Sequence, residues 1–141
     1  MKKKILVMCT GNSCRSQMAH GYLELFAENE AEIYSAGLEA HGLNPYAVKV
    51  MKDDKVDISG HTSNVIEDYL DLDFDMVLTV CDHANETCPV FPKSAEKLHQ
   101  NFPDPSNFKG GEEEKLKVYK KVRNDIRDFC EDLIGDFMFN E

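Results

Sequence analysis

A short apolar run, Ile5-Leu6-Val7-Met8, breaks into Cys9-Thr10-Gly11-Asn12-Ser13-Cys14-Arg15-Ser16 and then into residues of helical periodicity. A strand that passes through a tight polar loop straight into a helix commits the chain to an alternating α/β build. The same loop is a cradle for a tetrahedral oxyanion. Its N–H groups can converge on an anion, and the helix start adds free N–H groups and a positive dipole end. Arg15 supplies a planar fork that grips two oxygens at once. Gly11 and Asn12 tolerate the left-handed conformations that a tight loop requires. A field that holds an anion also stabilises a thiolate, so Cys9 at the base of the cradle is expected to be a nucleophile. The expected oxyanion-binding residues are Thr10, Gly11, Asn12, Ser13, Cys14, Arg15 and Ser16. Singly, each feature is ordinary: a strand-end cysteine is usually a small buried hydrophobe, and Gly-Asn is usually a turn. Their spacing between strand and helix carries the functional reading.

The 141 residues suit one domain with one core, spanning 1–141. The net charge of −10, from 16 basic and 26 acidic side chains, argues against nucleic acid and anionic membrane as partners. It also repels an anionic substrate, so binding must rest on local donors. Lys2-Lys3-Lys4 before the first apolar run resembles a secretory signal, but the run is shorter than the about 7–15 residues such a segment needs. No stretch is long enough to span a bilayer, and a cytoplasmic protein is expected. The cysteines are Cys9, Cys14, Cys81, Cys88 and Cys130, an odd count that points to nucleophilic or redox chemistry rather than a disulfide framework.

Periodicity predicts strands at about residues 4–8, 32–36, 76–80 and 97–101. It predicts helices at about 14–28, from Pro45 onward, at about 63–70, and from about 112 to 137. The first helix should bury Met18, Ala19, Tyr22, Leu23 and Phe26. The last should bury Leu116, Tyr119, Val122, Ile126, Phe129 and Leu133, with Cys130 as packing. Alternation implies a parallel sheet flanked by helices, with ligands beyond the carboxyl ends of the strands. Cys9 and Cys81 both follow strands, so they can face one crevice.

Cys81 and Cys88 lie seven positions apart in Cys81-Asp82-His83-Ala84-Asn85-Glu86-Thr87-Cys88-Pro89. Two buried thiols would explain them. A zinc site with His83 or His61 fits no standard ligand spacing. The third reading is a thiol relay, in which Cys81 attacks a Cys9 adduct and Cys88 resolves the resulting disulfide. Asp104, flanked by Pro103 and Pro105, is either a rigidly aimed general acid or a turn residue.

Cys9 to Ser16 with Gln17-Met18-Ala19 resembles the active-site loop of thioredoxin-coupled arsenate reductases, which share the fold of low-molecular-weight tyrosine phosphatases. The likeness continues through Tyr34-Ser35-Ala36-Gly37, His41-Gly42-Leu43-Asn44-Pro45, Asp57-Ile58-Ser59, His61-Thr62-Ser63, Thr79-Val80-Cys81, Cys88-Pro89 and Phe102-Pro103-Asp104-Pro105. The paired Cys81 and Cys88 separate a reductase from a phosphatase. The resemblance implies an α/β domain with a four-stranded parallel sheet. It implies Cys9 as nucleophile, Arg15 as oxyanion clamp, Ser16 as a hydroxyl supporting the thiolate, Asn12 as a loop brace and Asp104 as the acid. The implied reaction is reduction of arsenate to arsenite for arsenic detoxification, through Cys9, Cys81 and Cys88, by a monomer that thioredoxin regenerates without metal or organic cofactor. A weak phosphatase side activity would need only Cys9, Arg15 and Asp104, although Ser106 supplies no aromatic wall for an ester. A redox sensor that binds oxyanions without turnover is the non-enzymatic alternative. Some relatives hold potassium beside the cradle with acidic residues where this chain has His20 and Asn64. Direct hydrogen bonds among Asn12, His20, Ser35 and Asn64 are expected to brace the loop instead.

Overall fold

Strand β1 (Lys3–Cys9) is the centre of the fold, and its residues Ile5 to Met8 are wholly buried. Full burial of each such side chain is worth about 1.5–3 kcal/mol, which makes this run the natural middle of a sheet. The computed structural model describes residues 2–82, 84 and 95–139. After β1 come α1 (Arg15–Ala27), β2 (Ala31–Gly37), α2 (Pro45–Asp53), β3 (Met76–Thr79), β4 (Glu96–His99) and α3 (Glu112–Ile134). The four strands are parallel in the order β2-β1-β3-β4, one α/β domain of the expected class.

The order sets the site. The chain leaves β1 for β2 on one side and returns to β3 on the other, so the carboxyl end of β1 is a topological switch point. The register puts Cys9 opposite Gly37 and Met8 opposite Thr79. The loop after β1 therefore lies between the ends of β2 and β3.

Local chemistry explains the helices. Asn44 caps α2, its side chain accepting from Tyr46 N at 2.8 Å and Ala47 N at 3.2 Å, with Pro45 in the first turn. The three acids Glu112, Glu113 and Glu114 open α3 at the positive end of its dipole. Helices α1, α2 and α3 pack against one another. Tyr119, Val122, Ile126, Cys130 and Ile134 are the buried stripe of α3; Leu116, Phe129 and Leu133 are only partly covered. On α1 the expected Met18, Ala19, Tyr22 and Leu23 are buried, whereas Phe26 lies at the core edge and stacks on Tyr22.

Two helices are shorter than the sequence periodicity predicts. The segment 63–70 contains only the 3₁₀ turn Ile66–Tyr69. Residues before it are extended, because Val65 bridges Gly37 and Asn64 O accepts from Gly37 N at 2.9 Å. A tertiary bond to the sheet edge overrides local helical preference there. The last helix ends at Ile134 and loosens into a π-type turn, Gly135–Phe139, where Lys3 lies over the Phe137 ring at 4.4 Å.

Candidate active site

The loop after β1 is held from behind. The carbonyls of Thr10, Gly11 and Ser13 accept from the N–H groups of Glu39, His41 and Asn44 at 2.9–3.0 Å. The Asn12 carbonyl accepts from Ser63 Oγ at 2.8 Å and Gln17 Nε2 at 3.1 Å. A trans peptide sets the next N–H opposite its carbonyl. With all four carbonyls drawn outward, the N–H groups of Gly11, Asn12, Ser13 and Cys14 are turned the other way. Helix α1 starts at Arg15 with no side-chain cap, so its first N–H groups are also left to a ligand.

Asn12 is the brace that the resemblance implies. It is wholly buried with a left-handed φ of 47°. Its Nδ2 donates to Ser16 Oγ at 2.8 Å, and its Oδ1 accepts from Asn64 N at 2.7 Å. Gly11 does not share the left-handed conformation, contrary to the expectation from sequence. It is needed for space instead, since a Cβ there would strike the His41 imidazole. Ser16 Oγ is the acceptor of that Asn12 bond. The expected four-residue brace resolves into two separate pairs, Asn12 with Asn64, and His20 Nδ1 with Ser35 Oγ at 2.7 Å.

A cavity of about 260 Å³ opens on this loop, lined by Cys9, Thr10, Gly11, Ser13, Cys14 and Arg15 and closed by His41, Asn44, Asp104 and Ser106. Arg15 and Asp104 meet across it. Arg15 Nη1 donates to Phe102 O at 2.8 Å, and Nη2 lies 3.6 Å from Asp104 Oδ2. Asp104 Oδ1 accepts from Ser106 N at 3.0 Å and Ser106 Oγ at 2.7 Å. Asp104 thus caps a short turn, as a Pro-flanked Asp does, and still presents Oδ2 to the cavity.

Cys9, Cys14, Cys81 and Cys130 are buried free thiols. Burial pushes Cys14 far above the ordinary thiol range, with the charges of Asp104 and Cys9 adding to it. Its thiol lines the cavity beside Cys9 and Arg15. Burial likewise keeps Cys130 protonated in the core. Cys81 is placed differently. Its sulfur lies 3.4 Å from the hydroxyl of Thr10, the residue after Cys9, and 3.4 Å from the N–H of Ala84. The next residue, Asp82, is tied down by His99, whose Nε2 meets Asp82 Oδ1 at 2.7 Å while Nδ1 meets Thr79 Oγ1 at 2.7 Å. Cys88 and His83 lie outside the described residues.

His41, Asn44, Gln17, Ser63 and His99 were not singled out as site residues by the sequence reading. Gln17 is an amide wholly buried on a helix and needs fixed partners. It finds them in Asn12 O and Thr62 O, both at 3.1 Å. No helix among the described residues is long and apolar enough to cross a membrane.

Comparison with known proteins agrees with this geometry. The low molecular weight phosphotyrosine protein phosphatase family matches residues 4–138. An arsenate reductase of Halalkalibacterium halodurans is 48% identical over 125 residues, 89% of this chain and 90% of that protein. One from Bacillus subtilis is 46% identical over 127 residues, covering 89% and 91%. A solved arsenate reductase in a phosphate-binding state superposes with a TM-score of 0.77 at 30% identity, covering 95% of this chain and 98% of that one. A four-stranded parallel sheet with a cysteine-led loop at its switch point is thus matched over most of its length, and the chain belongs to the arsenate reductases of the low molecular weight phosphotyrosine protein phosphatase family.

Proposed function

We propose that the protein reduces arsenate to arsenite by a relay through Cys9, Cys81 and Cys88, and that a thioredoxin-like dithiol restores it. The observation that carries this reading is the Cys81 thiol resting on the hydroxyl of Thr10, the residue after Cys9, which itself lines a cavity shared with Cys9, Arg15 and Asp104. A solved relative of this fold in a phosphate-binding state supports an oxyanion in that cavity, since arsenate has the same shape and charge.

Arsenate sits on the N–H groups of Gly11 to Cys14 and the start of α1. Arg15 keeps Nη1 on Phe102 O and turns Nη2 from Asp104 to the oxyanion. The Cys9 thiolate forms a sulfur–arsenic(V) bond. Asp104, with Oδ1 engaged by Ser106, gives a proton from Oδ2 to the departing hydroxyl of hydrogen arsenate, which leaves as water. The Cys81 thiolate then attacks the Cys9 sulfur. An S–S bond forms, the S–As bond breaks, and its electron pair reduces arsenic to the trivalent state. Cys88 attacks Cys81, expels the Cys9 thiolate, and leaves a Cys81–Cys88 disulfide for the external dithiol. Two thiols supply two electrons, and no metal or organic cofactor takes part. The chain acts as a single-domain cytoplasmic monomer in arsenic detoxification, with a weak phosphatase side activity from Cys9, Arg15 and Asp104.

Three variants test the order of events. Cys9→Ser should lose both arsenate reduction and phosphatase activity. Cys81→Ser should lose reduction and keep the phosphatase activity. Cys88→Ser should release about one arsenite per enzyme and stall as a Cys9–Cys81 disulfide. Sustained thioredoxin-driven turnover by Cys88→Ser would refute the relay.

A further inference from the structure

Away from the cavity, α1 carries a second group of reactive side chains. His20 and Glu24 stand one turn apart on α1, and His61 reaches them from the loop after Ile58. One carboxylate oxygen, Glu24 Oε1, lies 3.0 Å from His61 Nε2 and 3.6 Å from His20 Nε2. The two imidazoles stack, with centroids 4.2 Å apart and planes inclined by 30°. A ligand atom from each of the three residues lies within 4.8 Å of the other two.

Each imidazole is also oriented from behind. His20 Nδ1 bonds Ser35 Oγ at 2.7 Å, and His61 Nδ1 bonds Gln17 Oε1 at 3.0 Å. The Gln17 amide can point only one way, because its Nε2 donates to the carbonyls of Asn12 and Thr62. Gln17 therefore offers His61 an acceptor, and His61 Nδ1 must carry a hydrogen. In a neutral imidazole the other nitrogen is then a bare lone pair. That lone pair faces a carboxylate oxygen at 3.0 Å, an arrangement that needs a positive charge between them.

We propose that His20 Nε2, His61 Nε2 and Glu24 Oε1 bind one divalent transition-metal ion of the zinc class, at a site separate from the Cys9 cavity. Two imidazoles and one carboxylate suit a borderline ion; alkali and alkaline-earth ions call for oxygen ligands throughout. Tetrahedral ligands at about 2.0–2.1 Å from zinc stand about 3.3 Å apart, so the widest pair closes by about 1.5 Å at most. Glu24 Oε1 already stands within 3.6 Å of both nitrogens, so the pair that closes is His20 Nε2 and His61 Nε2, and the half-exposed Glu24 leaves the fourth position to water. Ser35 and Gln17 are the outer partners that fix each ring, the usual support of a metal-bound histidine. Gln17 links the site to the Asn12 carbonyl, so a bound ion stiffens the oxyanion loop from behind.

Cobalt(II) is the direct probe, because its visible spectrum separates nitrogen and oxygen ligands from thiolates. Reduced full-length protein and Glu24→Gln and His20→Ala variants are titrated with cobalt(II) and zinc(II), reading absorbance, binding heat and melting temperature. The expected result is one equivalent bound without thiolate-to-cobalt charge transfer, with a rise in melting temperature, and weakened at least tenfold in both variants. Glu24 is a half-exposed helix position, so Glu24→Gln decides the matter even if His20→Ala fails to fold. Cobalt binding that persists unchanged in Glu24→Gln places the ion on the cysteines and overturns the proposal. Absence of any binding overturns it too, and leaves a proton-held His–Glu pair.

Discussion

Asn12 joins three segments through one wholly buried side chain and its own carbonyl. Removing the side chain leaves Asn64 N–H and Ser16 Oγ without their partner, and each buried polar group so orphaned costs about 1–3 kcal/mol. Its φ of 47° adds a second demand, since a residue with a Cβ and no local polar bond pays about 1 kcal/mol to remain left-handed. The two contributions separate experimentally. Asn12→Gly should lose about 2–4 kcal/mol in urea denaturation, and Asn12→Ala about 1 kcal/mol more. Both should lower arsenate turnover through a loosened loop. Equal stability of the two variants would mean that the backbone conformation at this position relaxes.

Between elements, the closest approach is that of β2 to the oxyanion loop. A Cβ on Gly37 would stand 2.5 Å from Glu39 O and 2.7 Å from both Thr10 O and Asn12 N, all backbone atoms. The three atoms nearest a Cβ on Gly11 all belong to the His41 ring, a side chain 53% exposed and paired with the exposed Glu39 carboxylate at 2.9 Å, which can give way where backbone cannot. Gly37→Ala should therefore cost about 1–3 kcal/mol and lower turnover more than tenfold, with Gly11→Ala much less destabilising in the same denaturation assay. Asp54 joins the helices. Beyond the end of α2 it accepts from the buried Tyr22 hydroxyl of α1 at 2.6 Å and from Arg127 of α3 at 3.2 Å. Burial works to raise its pKa, but the Tyr22 and Arg127 bonds outweigh it and hold the carboxyl below its ordinary value. A depressed carboxyl stabilises the fold fully above its unfolded pKa of about 3.9 and loses that contribution as the pH falls below it. Asp54→Asn should then cost about 1 kcal/mol at neutral pH, discounted for exposure, and the cost should fade toward pH 3. Thermal melts across that range check it; a loss independent of pH would assign the effect to shape rather than charge.

Over the whole molecule, the charge of −10 and the cavity oppose each other. The net charge acts at long range, whereas Arg15 and the loop amides act within contact distance. Inert monovalent salt raised from about 10 to about 150 mM shortens the screening length from about 30 to about 8 Å, cutting repulsion more than contact attraction. KM for arsenate should fall roughly twofold over that range, with kcat unchanged. A rise in KM would show that Arg15 governs encounter as well as binding.

The loop from Cys9 to Ser16 and the four strands are local in the sequence. A buried strand must be apolar along its length, and an oxyanion loop needs its cysteine, arginine and small residues at consecutive positions, so both are written where they act. The extended stretch at 63–65 was not legible, because a distant partner, Gly37 and Asn12, claims its backbone. The same holds for Ser63, His99 and the Gln17 bond to Thr62, which reach across 17–51 residues of separation. Hydrogen bonds between side chains and remote carbonyls leave no periodicity to read. Whether Asp104 was a turn residue or a cavity acid could not be settled from Pro-Asp-Pro. The tertiary structure makes it a turn residue that also lines the cavity, giving Oδ1 to Ser106 and setting Oδ2 3.6 Å from Arg15 Nη2. Sequence alone fixes what each segment can be; the switch point between β2 and β3 decides which segments meet, because only the strand order brings their ends to one place.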